Sequence, residues 1–158
     1  MIRVLVADDH AIVRQGLKQI LGTQPDFAVC GEASSHGEVM QVLRQTECDV
    51  LVLDVAMPGR NGIETLKQVK QEWPRLPVLI LSMYPEDQYA FRALKAGAAG
   101  YLTKMASSDQ LIEAIRVVAR GRKYMTPELA MSLAERFDRD TDTPPHALLA
   151  HLAPHLLD

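Results

Sequence analysis

Five short apolar runs punctuate the chain, over residues 2–7, 27–33, 49–54, 76–82 and 99–103. Their starts lie 25, 22, 27 and 23 residues apart, a spacing that fits a recurring strand–helix unit. The segments themselves do not match, so the repeat is one of architecture and not of sequence. Three of the runs, IRVLVA, DVLVLD and LPVLILS, are nearly continuous in Val, Ile and Leu. A strand with one wet face alternates, whereas a strand covered on both faces reads this way, as in a parallel sheet.

Between the runs the period changes to that of a helix. Residues 11–21 place Ile12, Leu17, Ile20 and Leu21 on one side, and 37–45 carry Val39, Met40, Val42 and Leu43. Residues 62–73 set Ile63, Leu66, Val69 and Trp73 along a stripe, with Lys67, Lys70 and Glu72 off it and Pro74 as the stop. Residues 86–96 and 107–120 complete five strand–helix pairs, the last opened by Ser107 or Ser108 as N-cap. This order predicts an α/β fold, a doubly wound parallel sheet with right-handed crossovers and helices on both faces. A sixth helix is expected over 126–137, where Thr126-Pro127-Glu128 is a start signal.

Composition narrows the class. The chain has 158 residues, 47% hydrophobic and 23% charged, with mean hydropathy −0.04 and net charge −3. It is neither polar enough for a disordered chain nor basic enough to bind nucleic acid through its overall charge. No apolar run reaches the roughly eighteen residues of a membrane span, and two acids interrupt the start where a signal peptide stays apolar. A cytoplasmic domain without membrane association is the expectation. Cys30 and Cys48 form no C-x-x-C pair and read as small apolar filler in or beside strands.

The polar residues fall where such a sheet places its ligands, beyond the carboxyl ends of the strands. The first run ends in Asp8 and Asp9, the third in Asp54, the fourth in Ser82, and the fifth in Thr103 and Lys104. Carboxylates suit a hard cation such as Mg²⁺, a lysine suits a phosphate, and a hydroxyl can donate to a phosphoryl oxygen. Each residue alone has an ordinary explanation: Asp8 or Asp9 as a helix cap, Ser82 as a strand end, Lys104 as a solvated loop lysine. Four of five strands delivering such groups to one edge is hard to obtain by accident, and together they suit phosphoryl chemistry at a carboxylate.

Absent motifs exclude several alternatives. A-D-D-H-A-I stands where a dinucleotide site needs G-x-G-x-x-G, and there is no G-x-x-x-x-G-K-[ST] and no G-x-S-x-G. A phosphatase with an aspartyl nucleophile places a general acid two residues on, and here that residue is Ala56. An aspartate that takes a phosphoryl group without that acid suits storage better than turnover. His151 and His155 are spaced for one helix face, but Pro154 lies between them and no acid joins them.

V-L-V-A-D-D-H at 4–10, D-V-L-V-L-D-V-A-M-P-G at 49–59 with N-G at 61–62, L-I-L-S at 79–82 and K-A-G-A-A-G-Y-L-T-K at 95–104 stand in order over residues 1–121. This set resembles the receiver domain of two-component response regulators, most closely the LuxR/NarL-type subfamily. The resemblance implies a flavodoxin-like sheet in order 2-1-3-4-5. It implies that Asp54 is the phosphoacceptor, that Asp8, Asp9, Asp54 and the backbone carbonyl of Ala56 ligate Mg²⁺, and that Ser82 and Lys104 hold phosphoryl oxygens. Ser82 and Tyr101 would be the switch pair. A sensor histidine kinase or a small acyl phosphate would be the donor, and the protein would catalyse only its own phosphorylation and dephosphorylation. Met105 follows Lys104 where an acid is common.

The expected organisation is a receiver over 1–121, an extra helix over 122–137, an acidic, proline-ended linker over 138–145 and a short apolar tail over 146–158. In the subfamily an L-[ST]-x-R-E segment opens a helix-turn-helix after such a linker; this sequence reads H-A-L-L-A-H-L-A-P-H-L-L-D. DNA binding is therefore implied only through a domain missing from this chain. Five leucines in so short a tail call for a partner surface, and pairing with a second copy as a homodimer is the expectation. The alternatives carried forward are a flavodoxin-like binding module and a non-phosphorylated dimerisation domain.

Overall fold

The computed structural model describes residues 1–57, 61–83, 87–127, 129–131 and 134–135. Five strands alternate with five helices: β1 Ile2–Ala7, α1 Ala11–Gly22, β2 Phe27–Ala33, α2 His36–Gln45, β3 Val50–Asp54, α3 Gly62–Glu72, β4 Val78–Ser82, α4 Asp87–Lys95, β5 Gly100–Thr103 and α5 Ser108–Ala119. The strands form one parallel sheet in the order β2-β1-β3-β4-β5, as expected.

The two faces divide the apolar residues by parity. Val4, Val6, Val50, Val52, Leu79, Leu81 and Leu102 point toward α1 and α5. Leu5, Ala7, Leu51, Leu53, Val78, Ile80 and Tyr101 point toward α2, α3 and α4. Both sets are buried, which is why these runs are continuous and not alternating. The edge strand β2 departs from strict parity. Val4 pairs with Val29 but Leu5 with Gly31, so Cys30 is an extra residue, a bulge. Phe27 therefore packs on one face and Ala33 on the other.

Boundaries moved where a local hydrogen bond won. Ser35 Oγ accepts from the Glu38 amide, so α2 begins at His36, one residue early. Asp49 lies outside β3 because its carboxylate accepts from the Arg3 amide at 2.7 Å and from Arg3 Nε at 3.0 Å. Leu76 lies outside β4 because its amide donates to the Trp73 carbonyl. Ser107 caps α5 with Gln110 in a reciprocal capping box.

Two expectations need correction. Ile12 is 86% exposed, and the packed face of α1 runs through Val13, Leu17, Ile20 and Leu21 instead. The register of that face is set by Leu17 and Leu21, which lie one turn apart, and Ile12 is off it. The cysteines are not independent fillers, because Cys30 Sγ and Cys48 Sγ meet at 2.8 Å.

Beyond α5 the chain returns along the sheet edge. Tyr124 forms a parallel bridge with Gly100, and its amide donates to the Ala99 carbonyl at 2.8 Å. A Cβ on Gly100 would stand 3.0 Å from the Tyr124 carbonyl oxygen, so the bridge depends on glycine there. Thr126 Oγ1 then accepts from the Leu129 amide at 3.2 Å, and the described residues from 127 to 135 are helical. The linker over 138–145, the tail over 146–158 with His151 and His155, and the 58–60 turn lie outside the described residues. Among the described residues no helix is long and apolar enough to cross a membrane.

Gly62 opens α3 against the third strand's exit, where an added Cβ would lie 2.5 Å from Val55 Cα and 2.9 Å from its carbonyl oxygen. Gly16, midway along α1, has nothing within 4 Å of that position. Gly62→Ala should lower stability by about 1–3 kcal/mol through overpacking against backbone. Gly16→Ala should raise it by about 0.5–1 kcal/mol through helix propensity. Urea unfolding of both variants checks the opposite signs.

Candidate functional site

Adjacent strands at the centre of the sheet end in acids. Asp8 follows β1 directly and Asp54 closes β3, so topology alone brings them together. The backbone ladder continues one step past the strands: the Asp8 amide donates to the Ala33 carbonyl at 2.9 Å, Val55 to Leu81 at 3.3 Å and Lys104 to Ser82 at 2.8 Å. These bonds fix the main chain on which the polar side chains are mounted.

Asp8, Asp54 and Ser82 are almost wholly buried, while Asp9 is half-buried. Lys104 Nζ stands 2.9 Å from Asp8 Oδ2 and 3.3 Å from Asp54 Oδ2. It serves both as an ion-pair partner and not as an aligned donor. Asp8 Oδ2, Asp9 Oδ1 and Asp54 Oδ2 are buried without a hydrogen bond among the described residues. Asp8 has a structural duty as well, since its Oδ1 accepts from the His10 amide at 2.8 Å. Neither Asp8 nor Asp9 caps α1, whose cap residue is His10 with no side-chain cap bond; the Asp8 Oδ1 contact instead fixes the turn before the helix and leaves Oδ2 to the site.

Burial, with the neighbouring Asp8 charge, holds the Asp54 carboxyl above the usual range, against the opposing pull of the Ala56 amide and Lys104. Burial alone would lower Lys104. Its two carboxylate neighbours outweigh burial and hold the ammonium above its ordinary value.

The cluster is suited to a cation. Ligand atoms of Asp8, Asp9, His10 and Asp54 all lie within 4.8 Å of one another. Buried carboxylate oxygens lacking donors are the donor set a hard divalent ion takes, with water completing its shell. Ala56 is exposed beside the cluster, and its amide donates to Asp54 Oδ1 at 3.2 Å. Tyr101 lies away from this rim, 3% exposed within the core under α2, α3 and α4.

Three neighbours escaped the sequence reading. His10 Nδ1 lies 3.3 Å from Asp8 Oδ1 and 3.0 Å from Asp9 Oδ1. Arg14 Nη1 donates to the Asp8 carbonyl at 2.6 Å and is held in turn by Glu32. Burial raises the Tyr89 hydroxyl, and the Asp54 charge adds to that shift, which places α4 within electrostatic reach of the site. The A-D-D-H string was the available signal for His10; Arg14 and Tyr89 carry no local one.

Residues 4–116 match the family described as the response regulator receiver domain. The chain is 39% identical over 140 residues to the oxygen regulatory protein NreC of Staphylococcus carnosus, covering 88% of this chain and 64% of that protein. It is 38% identical over 151 residues to the response regulator GacA of Pseudomonas viridiflava, covering 95% and 71%. Among solved structures, a LuxR-family two-component response regulator from Aurantimonas superposes with a TM-score of 0.80 at 36% identity, covering 85% of this chain and 96% of that one. The isolated receiver domain of RcsB from Salmonella enterica, solved in the presence of the phosphomimetic BeF3−, superposes with a TM-score of 0.77 at 26% identity, covering 82% and 96%.

A sheet in this order with acids at its central strand ends is the frame of a receiver. The chain belongs to the response regulator receiver family, and its similarity is to the LuxR-family branch of two-component regulators. It spans 64% of the length of the NreC protein and 58% of the DegU protein of Brevibacillus brevis.

The raised Asp54 carboxyl has a consequence for stability. Its ionised form is less favourable in the fold than in the unfolded chain, so a stability deficit develops as pH rises above the unfolded value near ~3.9. In EDTA, Asp54→Asn should melt higher than wild type at pH 7, and the difference should shrink toward pH 4. Thermal unfolding at both pH values reads this out; equal shifts at the two would contradict it.

Proposed function

We propose that this chain is a phosphorylation-controlled receiver in which Asp54 accepts a phosphoryl group from a phosphohistidine of a sensor kinase or from a small acyl phosphate. The observation that carries the reading is the set of three buried carboxylate oxygens without hydrogen-bond donors, two of them within ion-pair reach of Lys104 and the third beside the His10 ring. A purely structural rim has no reason to leave such groups uncompensated.

A Mg²⁺ ion held by Asp8, Asp9, Asp54 and the Ala56 carbonyl would supply charge neutralisation at the phosphoryl oxygens and relieve the repulsion among the carboxylates. Asp54 supplies the nucleophile: one of its oxygens forms the bond to phosphorus while the bond to the donor's leaving nitrogen or oxygen breaks on the opposite side. Lys104, already between Asp8 and Asp54, balances the added charge on the product acyl phosphate. Ser82, at the end of β4 and joined to Lys104 through the backbone, would donate its hydroxyl to a phosphoryl oxygen. Position 56 offers only a methyl group, so no side chain there assists hydrolysis, which suits retention of the phosphoryl group.

The new dianion would draw Ser82 and Lys104 toward it and shift the ends of β4 and β5. Tyr101, between them in sequence and buried on β5, would change its packing with that shift. Met83 and Met105 are exposed apolar side chains just beyond the carboxyl ends of β4 and β5, and Ile12 is exposed in the first turn of α1. They give a partner such as the kinase an apolar surface around the phosphoacceptor. In relatives such a change controls transcription through a DNA-binding domain; for this chain a homodimer would be one output, and the setting would be cytoplasmic.

Incubation with acetyl phosphate and Mg²⁺ should add one phosphoryl group to wild type by intact mass and none to Asp54→Asn. A stoichiometric gain in the variant would move the phosphoacceptor elsewhere, and no gain in wild type would leave an unphosphorylated module. Saturating Mg²⁺ should raise the melting temperature of wild type, by about 2.7 kcal/mol of added stability at a hundredfold excess over Kd. Asp9→Ala should show little of that rise.

A further inference from the structure

The sulfur atoms of Cys30 and Cys48 lie 2.8 Å apart. Cys30 is the bulged residue of the edge strand β2, and Cys48 stands in the link between α2 and β3. Both thiols are free and half-buried. They sit by the start of β3, whereas Asp54 ends it, so the pair is separate from the acidic cluster. Cys48 also lines a cavity of about 750 Å³ together with Arg3, Asp49, Trp73 and Leu76, and Cys30 is itself half-buried on the edge strand, within reach of a small oxidant.

We propose that Cys30 and Cys48 are a dithiol–disulfide couple, oxidised by a peroxide and reset by a dithiol reductant, that forms a second modification site on this receiver. The surroundings assign different roles to the two sulfurs. The contact with Cys48 holds the Cys30 thiol below the ordinary cysteine value, burial opposing and the nearby Arg3 charge assisting. The same contact, together with burial, pushes Cys48 up. Cys48 Sγ also lies 3.9 Å from the Thr46 carbonyl, a weak donor contact that keeps its proton in place. Because only Cys48 has this second acceptor for its proton, the geometry makes Cys30 the attacking thiolate and Cys48 the resolving thiol.

The chemistry balances with hydrogen peroxide as oxidant. The Cys30 thiolate forms an S–O bond as the O–O bond breaks, giving a sulfenic acid and, after protonation, one water. Cys48 sulfur then attacks Cys30 sulfur; the S–S bond forms, the S–O bond breaks, and the departing hydroxide takes the Cys48 proton as a second water. Two thiols lose two electrons and two protons in all. The product ties β2 to the entry of β3 and closes a loop around α2.

The full chain, folded and reduced, is treated with hydrogen peroxide and followed by intact mass and non-reducing peptide mapping. The expected result is a loss of about 2 Da, one peptide joining Cys30 to Cys48 within a single chain, and recovery of the original mass with dithiothreitol. Cys48→Ser should trap a sulfenic acid on Cys30 that reacts with dimedone, while Cys30→Ser should yield no such adduct on Cys48. The proposal fails if the sulfurs instead gain about 32 Da or more as separate sulfinic acids, if links form only between chains, or if both thiols stay reduced. A dimedone adduct on Cys48 in Cys30→Ser would overturn the assigned roles. No phosphoryl transfer is read in this experiment, so its outcome is independent of the function proposed for Asp54.

Discussion

A parallel sheet covered on both faces gives its polar side chains one place to go. Within β1, β3 and β4 every inward position on either face is packed against helices, so acids and hydroxyls collect where the strands run out. Because all five strands run the same way, the carboxyl ends of the central ones share an edge, and Asp8, Asp54, Ser82 and Lys104 meet there. Packing and chemistry are thus separated along each strand, and the site is a by-product of how the core is filled.

The energetics of that edge run against the fold. Three carboxylates crowd one rim of the sheet, and Asp54 is held above its usual range by burial and by Asp8. One lysine reaches two of them. Stability elsewhere comes from ordinary sources: continuous aliphatic strands, a capping box on α5, and the Arg116 pair with Asp26 that ties α5 to the turn before β2. The rim is accordingly where substitution to a neutral residue should stabilise, a common trade of stability for function.

Much of this was legible in the sequence because it rests on period and composition. The strand of 2–7 was read to the residue, since a continuous Val, Ile and Leu run and its polar end are local signals; the bounds of 27–33 matched as well, on the weaker signal of its spacing from the first run. The acid pair, Asp54, Ser82 and Lys104 could be placed on one edge from strand order alone. What escaped depends on neighbours distant in sequence. The loss of Asp49 from β3 follows from Arg3, forty-six residues away. The exposure of Ile12 follows from the rotation of α1 against β1 and α5. The Cys30–Cys48 contact needs both the bulge in β2 and the turn after α2, and neither leaves a period to detect.

The bridge between Gly100 and Tyr124 gives β5 an unusual double allegiance. One end of this four-residue strand carries the lysine that pairs with Asp8 and Asp54; the other is stitched to the segment that leads out of the domain. A strand so short behaves as a stiff rod, with no slack to absorb a displacement at either end. A displacement of Lys104 would therefore be felt along β5 at the Tyr124 bridge, two residues before Thr126 caps the helical segment beyond it.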